Sequence, residues 1–576
     1  MALNIWLCYI AAWLINLRIE RKTVANLVEI LPIGGLGEFG MNCLAIRYED
    51  EIIVVDAGLM FPDPHFWGVD IIVPDFQYLK DNRDNVRALI LTHSHEDHIG
   101  SVPFLLKALN IPVYATPYTA AVLASKLDEH DLSDEVLVHT IRPKETIDLD
   151  PFKIEFIRVS HSTTDCVALA IRTPVGVIIH TGDFKFDETP VCGSPIDVES
   201  LRRYGDEGVL ALLSDSTNVE RPGRMYSERD VIPALENIFD NATGRIIVSC
   251  FTSSIHRIQI ILDLAETFRR RVTLIGRSMI RNIDTAESMR YLDIPNGLLI
   301  TPADTLRFAP HQIVMLVTGC QGEPMSALSR MAVDNHKQAK IQEGDAVVLS
   351  ARQIPGNEKS ISRLINHLYK RHAQVYDSTS SRIHVSGHGS QEDLKMMLEA
   401  TRPKFFIPIH GEYRQLYQHK RFACTLGYKS EQILLVESGD IIGLEKDSVS
   451  VTGKIPVGRT YIDSTGIGKI EDLVVRDRKH LAYDGIVVPI VAINKSTGKI
   501  EIEPEVITRG FNIPNDDDGG YLAKLSNLVT ETINSSGQDE RRDEAVIKEK
   551  IRLELKRFIQ KRTGHRPTII PVILET

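Results

Sequence analysis

The chain has no CxxC pair, no low-complexity tract and no excess of positive charge. Its seven cysteines, Cys8, Cys43, Cys166, Cys192, Cys250, Cys320 and Cys424, are odd in number and scattered over 576 residues. That argues against a disulfide framework and a thiolate zinc site, and fits a reducing cytosol. Lys and Arg number 66 against 77 Asp and Glu, a net charge of −11. A polyanionic partner must therefore be held by a local groove or by bound metal, not by global attraction. The start, "MALNIWLCYIAAWLINLRIERK", lacks a basic region ahead of its apolar run, so it does not read as a secretory signal, and it is short for a spanning helix. Were it to insert, Arg18, Arg21 and Lys22 would keep the body of the chain cytoplasmic. The expectation is an over-extended translation start or a membrane-grazing helix, with no stable membrane insertion and a cytoplasmic protein.

What is present is ordinary for a folded protein: 43% hydrophobic and 25% charged residues, and length enough for two or three domains. From Leu27 to about Asp215, short apolar runs end in polar clusters: "VEILPIGG", "IIVVDAG", "ALILTHSH", "IPVYATP", "FKIEFIRVSH", "GVIIHTGD", "VLALLSDS". They read as buried strands, and "SVPFLLKALN" and "PYTAAVLASKLDEH" between them as helices, which predicts an α/β layered domain with function at the strand ends. From Glu228 to Asp377 helix and strand alternate, as in a separate parallel α/β unit. The simplest account inserts this unit into the first domain, which resumes near 378. A strand-rich stretch with a turn at Ser496-Thr497-Gly498, followed by the helix "DEAVIKEKIRLELKRFIQKRTG", predicts a small α+β C-terminal domain. The expected division is an extra apolar segment 1–26, a first domain in two parts, 27–227 and 378–455, an insert 228–377, a linker 456–473 and a C-terminal domain 474–576.

"LTHSHEDHIG", Leu91 to Gly100, follows the apolar run "VRALI" and packs His93, His95, Asp97 and His98 into one tight loop. Ligand-type residues so close can converge on metal without a long loop closure. "IRVSH" ends in His161, "IIHTGD" in Asp183 and "FIPIH" in His410. These seven suffice for two metals with positions left for water, and a carboxylate such as Asp183 can bridge. Nitrogen and oxygen donors without thiolate suit zinc, with manganese as the competitor. Asp56, in "VVDAG", is placed to orient a ligand histidine through its other ring nitrogen. "GLGEFG", Gly35 to Gly40, satisfies GxGxxG but lacks an acidic ribose partner in a βαβ unit, so it reads as a tight turn near the metal cleft. His256, at a helix start, reads as a capping or packing residue.

The HxHxDH loop with a later His, Asp and His resembles the metallo-β-lactamase superfamily, and the interrupted layout resembles its beta-CASP branch. "GGLGEFGMN", "LLSDSTN", "ERPG", "SSIHR", "GRSM", "GEPMSALSRMA", "IPGNE", "HVSGHGS", "PIHGEYR" and "RDRKHLAYDG" occur in the order found in the bacterial ribonuclease J family. The resemblance runs from about residue 28 into the C-terminal domain. It implies a four-layer αβ/βα domain, an inserted α/β beta-CASP domain, a small α+β C-terminal domain and a cleft active site. It implies one metal on His93, His95 and His161, a second on Asp97, His98 and His410, and Asp183 between them. It implies His388 as general acid with Asp215 orienting it, and the loop His384, Val385, Ser386, Gly387 and His388 as the phosphate holder. Histidine at 410 implies RNA, and "GRSM", Gly276 to Met279, is a weaker candidate for the nucleotide path. Asp463 matches a position where some members hold a structural calcium.

The function so implied is 5′-to-3′ exonuclease action on 5′-monophosphorylated single-stranded RNA, with endonuclease activity, in mRNA decay and rRNA maturation. Homodimers or tetramers through the C-terminal domain, and association with other degradation factors or the ribosome, are implied with it. The alternatives are a small-molecule metallo-hydrolase, which would need no inserted cover, and a catalytically silent RNA-binding scaffold, against which the complete ligand set argues.

Overall fold

The computed structural model describes residues 27–62, 66, 68–323, 325–354, 356–463, 469–470, 472–513 and 520–576. The apolar start and the acidic stretch 514–519 lie outside them. Among the described residues no helix is long and apolar enough to cross a membrane. These residues form two compact units, one of 27–61 with 72–459 and one of the described residues of 62–71 with 460–576.

In the first unit two sheets face each other. The first has eight strands, in spatial order 449–454, 440–444, 28–34, 43–48, 51–55, 86–90, 113–115 and 138–140. The second has six, in the order 405–409, 209–215, 177–180, 167–172, 152–158 and 146–149. Ile30, Ile46, Ile53 and Ile90 of the first sheet pack against Phe156, Leu169, Ile178, Leu213 and Ile407 of the second. Helices cover both outer faces. Leu105 and Leu123 lie on Ala45, Val54 and Leu89 on one side, and Leu201, Leu394 and Met397 on Ala168, Ile179 and Leu212 on the other. The four layers therefore run helix, sheet, sheet, helix. Strands buried on both faces cannot alternate polar and apolar residues, which is why Val209–Asp215 is buried at every position.

After that strand the chain leaves for a five-stranded, all-parallel sheet in the order 271–275, 313–317, 246–249, 346–349 and 374–376. Its return strand, Phe405–Ile409, hydrogen-bonds in parallel to Val209–Asp215, Ala211 opposite Phe405. The excursion thus begins and ends at adjacent strands of one sheet, as expected of an insertion. A buried ionic cluster ties insert to host. Glu228 pairs with Arg257 at 2.7 Å and Lys185 lies 3.9 Å from Glu228, all nearly solvent-free. Arg257 also donates to the Ile383 carbonyl at 2.8 Å, where the chain comes back. His256 packs rather than caps its helix: its Nδ1 accepts from the Cys192 amide at 3.3 Å.

The second unit is built on the antiparallel pair Ile486–Ile493 and Ile500–Arg509, with short strands 568–569 and 572–575 parallel to the first. Asn494 Oδ1 accepts from the Ser496 and Thr497 amides and so fixes the turn. Helices Tyr521–Ser535 and Glu544–Thr563 cover one face through Leu525, Val529, Ile551, Leu555 and Ile559. The second of them starts on the Asp543 cap and stops at Gly564 in the left-handed conformation, φ 76°.

Candidate metal centre

The loop after strand Val86–Ile90 is shaped by the neighbouring strand end. Asp56, directly after Glu51–Val55, sits in the left-handed region at φ 59°, a strained state for a non-glycine residue. Its carboxylate accepts from the Thr92 amide and hydroxyl, both at 2.8 Å, and from His98 Nδ1 at 2.7 Å. His98 Nε2 is thereby aimed into the cluster. Gly58 admits the loop, because a Cβ there would lie 1.6 Å from the Asp97 carbonyl oxygen. Asn42, at the end of the glycine turn 35–40, donates to that same carbonyl at 2.9 Å. Gly35, Gly37 and Gly40 all have positive φ, so the GxGxxG stretch is a tight turn braced on the metal loop.

The remaining ligand-type residues arrive from the ends of the second sheet. His161 follows Phe152–Arg158 and donates through Nδ1 to the Gly387 carbonyl at 2.8 Å. Asp183 follows Val177–His180. His410 follows Phe405–Ile409, also left-handed at φ 55°, with Thr217 Oγ1 2.8 Å from its Nδ1. Two sets of donor atoms result from these seven residues, His93, His95, His161 and Asp183, and Asp97, His98, Asp183 and His410, each lying within 4.8 Å, and Asp183 and His410 also lie in a third such group with Asp215 and His388. Asp183 belongs to both of the first two. All seven residues singled out in the sequence therefore converge, with Asp56 behind them.

Burial pushes His93 and His161 well below the ordinary imidazole range and His95 down to about 4. These three are neutral donors. Burial also disfavours charge on His98, but Asp183, Asp97 and Asp56 overcome it and lift the ring to about 10. His410 is raised likewise by Asp183, Asp215 and Asp97 against its burial. Asp183 and Asp97, despite burial, are held well below the usual carboxylate range by the facing His98 and His410. Among the described residues no Lys or Arg pairs with Asp56, Asp97, Asp183 or Asp215. Neutral imidazoles beside ionised carboxylates, with negative charge balanced only by protonated histidines, form a donor set that fits divalent cations.

His388 Nδ1 lies 2.8 Å from Asp215 Oδ2, at the end of strand Val209–Asp215. Burial opposes its charge, but Asp215 and Asp183 raise its pKa above the ordinary value, while Asp215 is held low. Ser386 Oγ accepts from Asn218 Nδ2 at 2.9 Å and from the His388 amide at 3.3 Å. Asn218 Nδ2 also reaches the His388 carbonyl at 2.9 Å. His384 is pushed down to about 3 by burial and by Arg257. The Val385 side chain packs in the insert's apolar core. Asp463 lies in the second unit, and among the described residues no group of three ligand-type side chains includes it. Asn42, Thr92, Thr217 and Asn218, which hold the ligands and the 384–388 loop, were not foreseen; their only signal was proximity to motif residues.

Family models match along the chain in order: "Metallo-beta-lactamase superfamily" over 36–230, "Ribonuclease J, beta-CASP domain" over 243–368, "Zn-dependent metallo-hydrolase RNA specificity domain" over 379–429 and "Ribonuclease J C-terminal domain" over 473–576. Fold and site thus define a metallo-β-lactamase-type hydrolase with a beta-CASP insert and a C-terminal domain. Ribonuclease J of Synechocystis sp. is 40% identical over 566 residues, 96% of this chain and 88% of that one. Ribonuclease J of Corynebacterium glutamicum is 38% identical over 96% of this chain and 76% of its own, and that of Thermus thermophilus 38% over 95% of each. The chain belongs to the ribonuclease J family and is a metal-dependent ribonuclease. A crystal structure of a protein of unknown function from Enterococcus faecalis shares the fold, with TM-score 0.51 at 17% identity over 73% of this chain and 100% of that one.

Proposed function

We propose that the chain degrades single-stranded RNA from a 5′-monophosphate end, releasing mononucleotides, and also cuts internally, in mRNA decay and rRNA maturation in the cytoplasm. The observation that carries the reading is the double membership of Asp183, whose carboxylate completes both donor sets. His93, His95 and His161 would hold one cation and Asp97, His98 and His410 the other, with Asp183 a member of both sets. Zinc suits the nitrogen-rich donors and manganese competes. When bound, such cations lower the pKa of an attacking water and neutralise charge on the phosphoryl group.

The chain's own groups do the rest. Asp56 fixes the His98 ring and the Gly387 carbonyl fixes that of His161, so their Nε2 atoms are presented without searching. Asp215 takes the Nδ1 proton of His388 in a hydrogen bond and favours the imidazolium, leaving Nε2–H to protonate the departing 3′-oxygen. His384, Ser386 and the amides of the 384–388 loop hold the 5′-phosphate. The division into 27–227 with 378–455, the insert 228–377, the linker 456–473 and the domain 474–576 belongs to the same reading, as do a calcium at Asp463 and self-association through the C-terminal domain.

The test is digestion of one single-stranded sequence as 5′-monophosphate RNA, 5′-triphosphate RNA and DNA. Labelled mononucleotide from the monophosphate RNA alone is the expected result. Internal fragments only would make the enzyme an endonuclease, and hydrolysis of a chromogenic lactam with no RNA cleavage would return it to the small-molecule class.

A further inference from the structure

Outside the metal cluster, Arg221 and Arg352 form a concentration of positive charge that the chain does not neutralise. Arg352 donates to Asn218 Oδ1 at 2.8 Å, and Asn218 in turn holds Ser386 and the His388 carbonyl. The arginine is thus one side chain removed from the loop beside the metals. Both are exposed residues whose guanidiniums are only partly buried, and no carboxylate hydrogen-bonds either of them among the described residues. The Arg221 amide donates to the Asn218 carbonyl at 2.9 Å, so both arginines adjoin Asn218, and the Arg221 charge helps, behind partial burial, to press Arg352 below its ordinary pKa. Glu220 is the neighbouring carboxylate, and it is taken by Arg414 at 3.2 Å.

Arg414 belongs to the helix Tyr413–Thr425, which begins three residues after His410. The outer face of that helix carries Tyr413, 49% exposed, and Tyr417, 47% exposed. Residues four apart lie one above the other, so the two rings form consecutive steps on one face. Exposed tyrosines on the helix whose Arg414 pairs with Glu220, the residue before Arg221, together with unneutralised arginines match the chemistry of a single-stranded nucleic acid, whose bases stack and whose phosphates pair with guanidinium. In a chain of net charge −11 such a patch needs a reason.

We propose that Arg221 and Arg352 hold backbone phosphates of single-stranded RNA outside the metal cleft, and that Tyr413 and Tyr417 stack its bases. The proposal rests on the RNA reading above and adds a positioning surface to it. The strand runs over this surface with its sequence unread, because stacking and phosphate pairing accept any base.

The experiment compares the intact enzyme, Arg221→Gln/Arg352→Gln and Tyr413→Ala/Tyr417→Ala on 5′-monophosphate RNA, on 5′-hydroxyl RNA and on bis(p-nitrophenyl) phosphate, over a salt series. The arginine pair should lower RNA kcat/KM relative to the small phosphodiester about tenfold and flatten the logarithmic salt dependence by about 1.4, the loss of two phosphate contacts on a single strand. The tyrosine pair should lower the same ratio about tenfold with the salt slope kept. Arg221→Lys/Arg352→Lys should restore the slope, which a folding defect would not allow. Equal losses on RNA and bis(p-nitrophenyl) phosphate, or an unaltered slope in the glutamine variant, would overturn the proposal. So would a loss confined to 5′-monophosphate RNA, since the arginines would then read the terminus. An intact enzyme that cuts no RNA would instead refute the parent reading.

Discussion

Gly387 and His161 fit together because Gly387 has no side chain: a Cβ on it would stand 2.7 Å from both Cε1 and Nδ1 of the His161 ring. The Gly387 carbonyl meanwhile accepts from His161 Nδ1. The loop that carries His388 is thus coupled to the candidate metal ligand His161 through the Gly387 backbone.

Gly387→Ala should therefore displace His161. Metal content, read by atomic emission on purified protein, should fall towards one ion per chain and RNA cleavage should fall at least ~10-fold, with the far-ultraviolet spectrum retained. Full metal loading with the parent rate would disprove the coupling.

Asp56→Asn keeps the size of the side chain but removes the charge that holds His98 and Thr92. Metal affinity, measured by competition with a chromophoric chelator, should weaken about 10- to 100-fold. An unchanged affinity would mean the Asp56 contact is only structural.

If His388 is the acid, its pairing with Asp215 should set the alkaline limit of the reaction. Burial works against the imidazolium, but Asp215 and Asp183 raise its pKa, so the acid stays protonated above the ordinary value near 6.5 and activity is lost as pH rises through the raised value. In Asp215→Asn the alkaline limb of kcat should move to lower pH, and the rate should drop by about 10² to 10⁴. A pH profile that keeps its limb would assign the limb to another group.

Glu228, buried with Arg257 and Lys185, should govern how the insert is held to its host. Burial raises its pKa, but Arg257 and Lys185 overcome this and bring it down to about 2. A folded pKa below the unfolded value, near 4.3, means the stabilisation is complete above that value and is lost as pH falls towards 2. Glu228→Gln leaves the buried Arg257 without its carboxylate, Lys185 keeping Asp187 at 3.6 Å, and should cost about 3–5 kcal/mol near neutrality. The difference in thermal midpoint between parent and variant should narrow as the pH is lowered from 5 to about 3. A constant difference across that range would show that the Glu228 charge is not what stabilises the contact.

The metal loop was legible because His93, His95, Asp97 and His98 pack four ligand types behind an apolar strand, a combination that burial would otherwise penalise. The layered fold was legible from strands apolar on both faces, such as Val209–Asp215. What escaped was long-range. The pairing of Phe405–Ile409 with Val209–Asp215 joins segments nearly two hundred residues apart, and no local pattern encodes it. Strands Cys43–Tyr48 and Val167–Arg172 were not among the strands read from the sequence. The left-handed turns at Asp56 and His410 carry no glycine to announce them. Asn42 and Thr217 act on the ligands only through hydrogen bonds to Asp97, His98 and His410, a role that composition cannot mark.

The central claim is that Asp183 joins two cations into one centre for cutting RNA. The most direct measurement strips the protein with chelator and follows cleavage of 5′-monophosphate RNA as zinc or manganese is returned, for the parent and for Asp183→Asn. The account predicts that parent activity saturates at two ions per chain and that Asp183→Asn stays inactive at any metal concentration. Full activity at one ion, or an active Asp183→Asn, would contradict it.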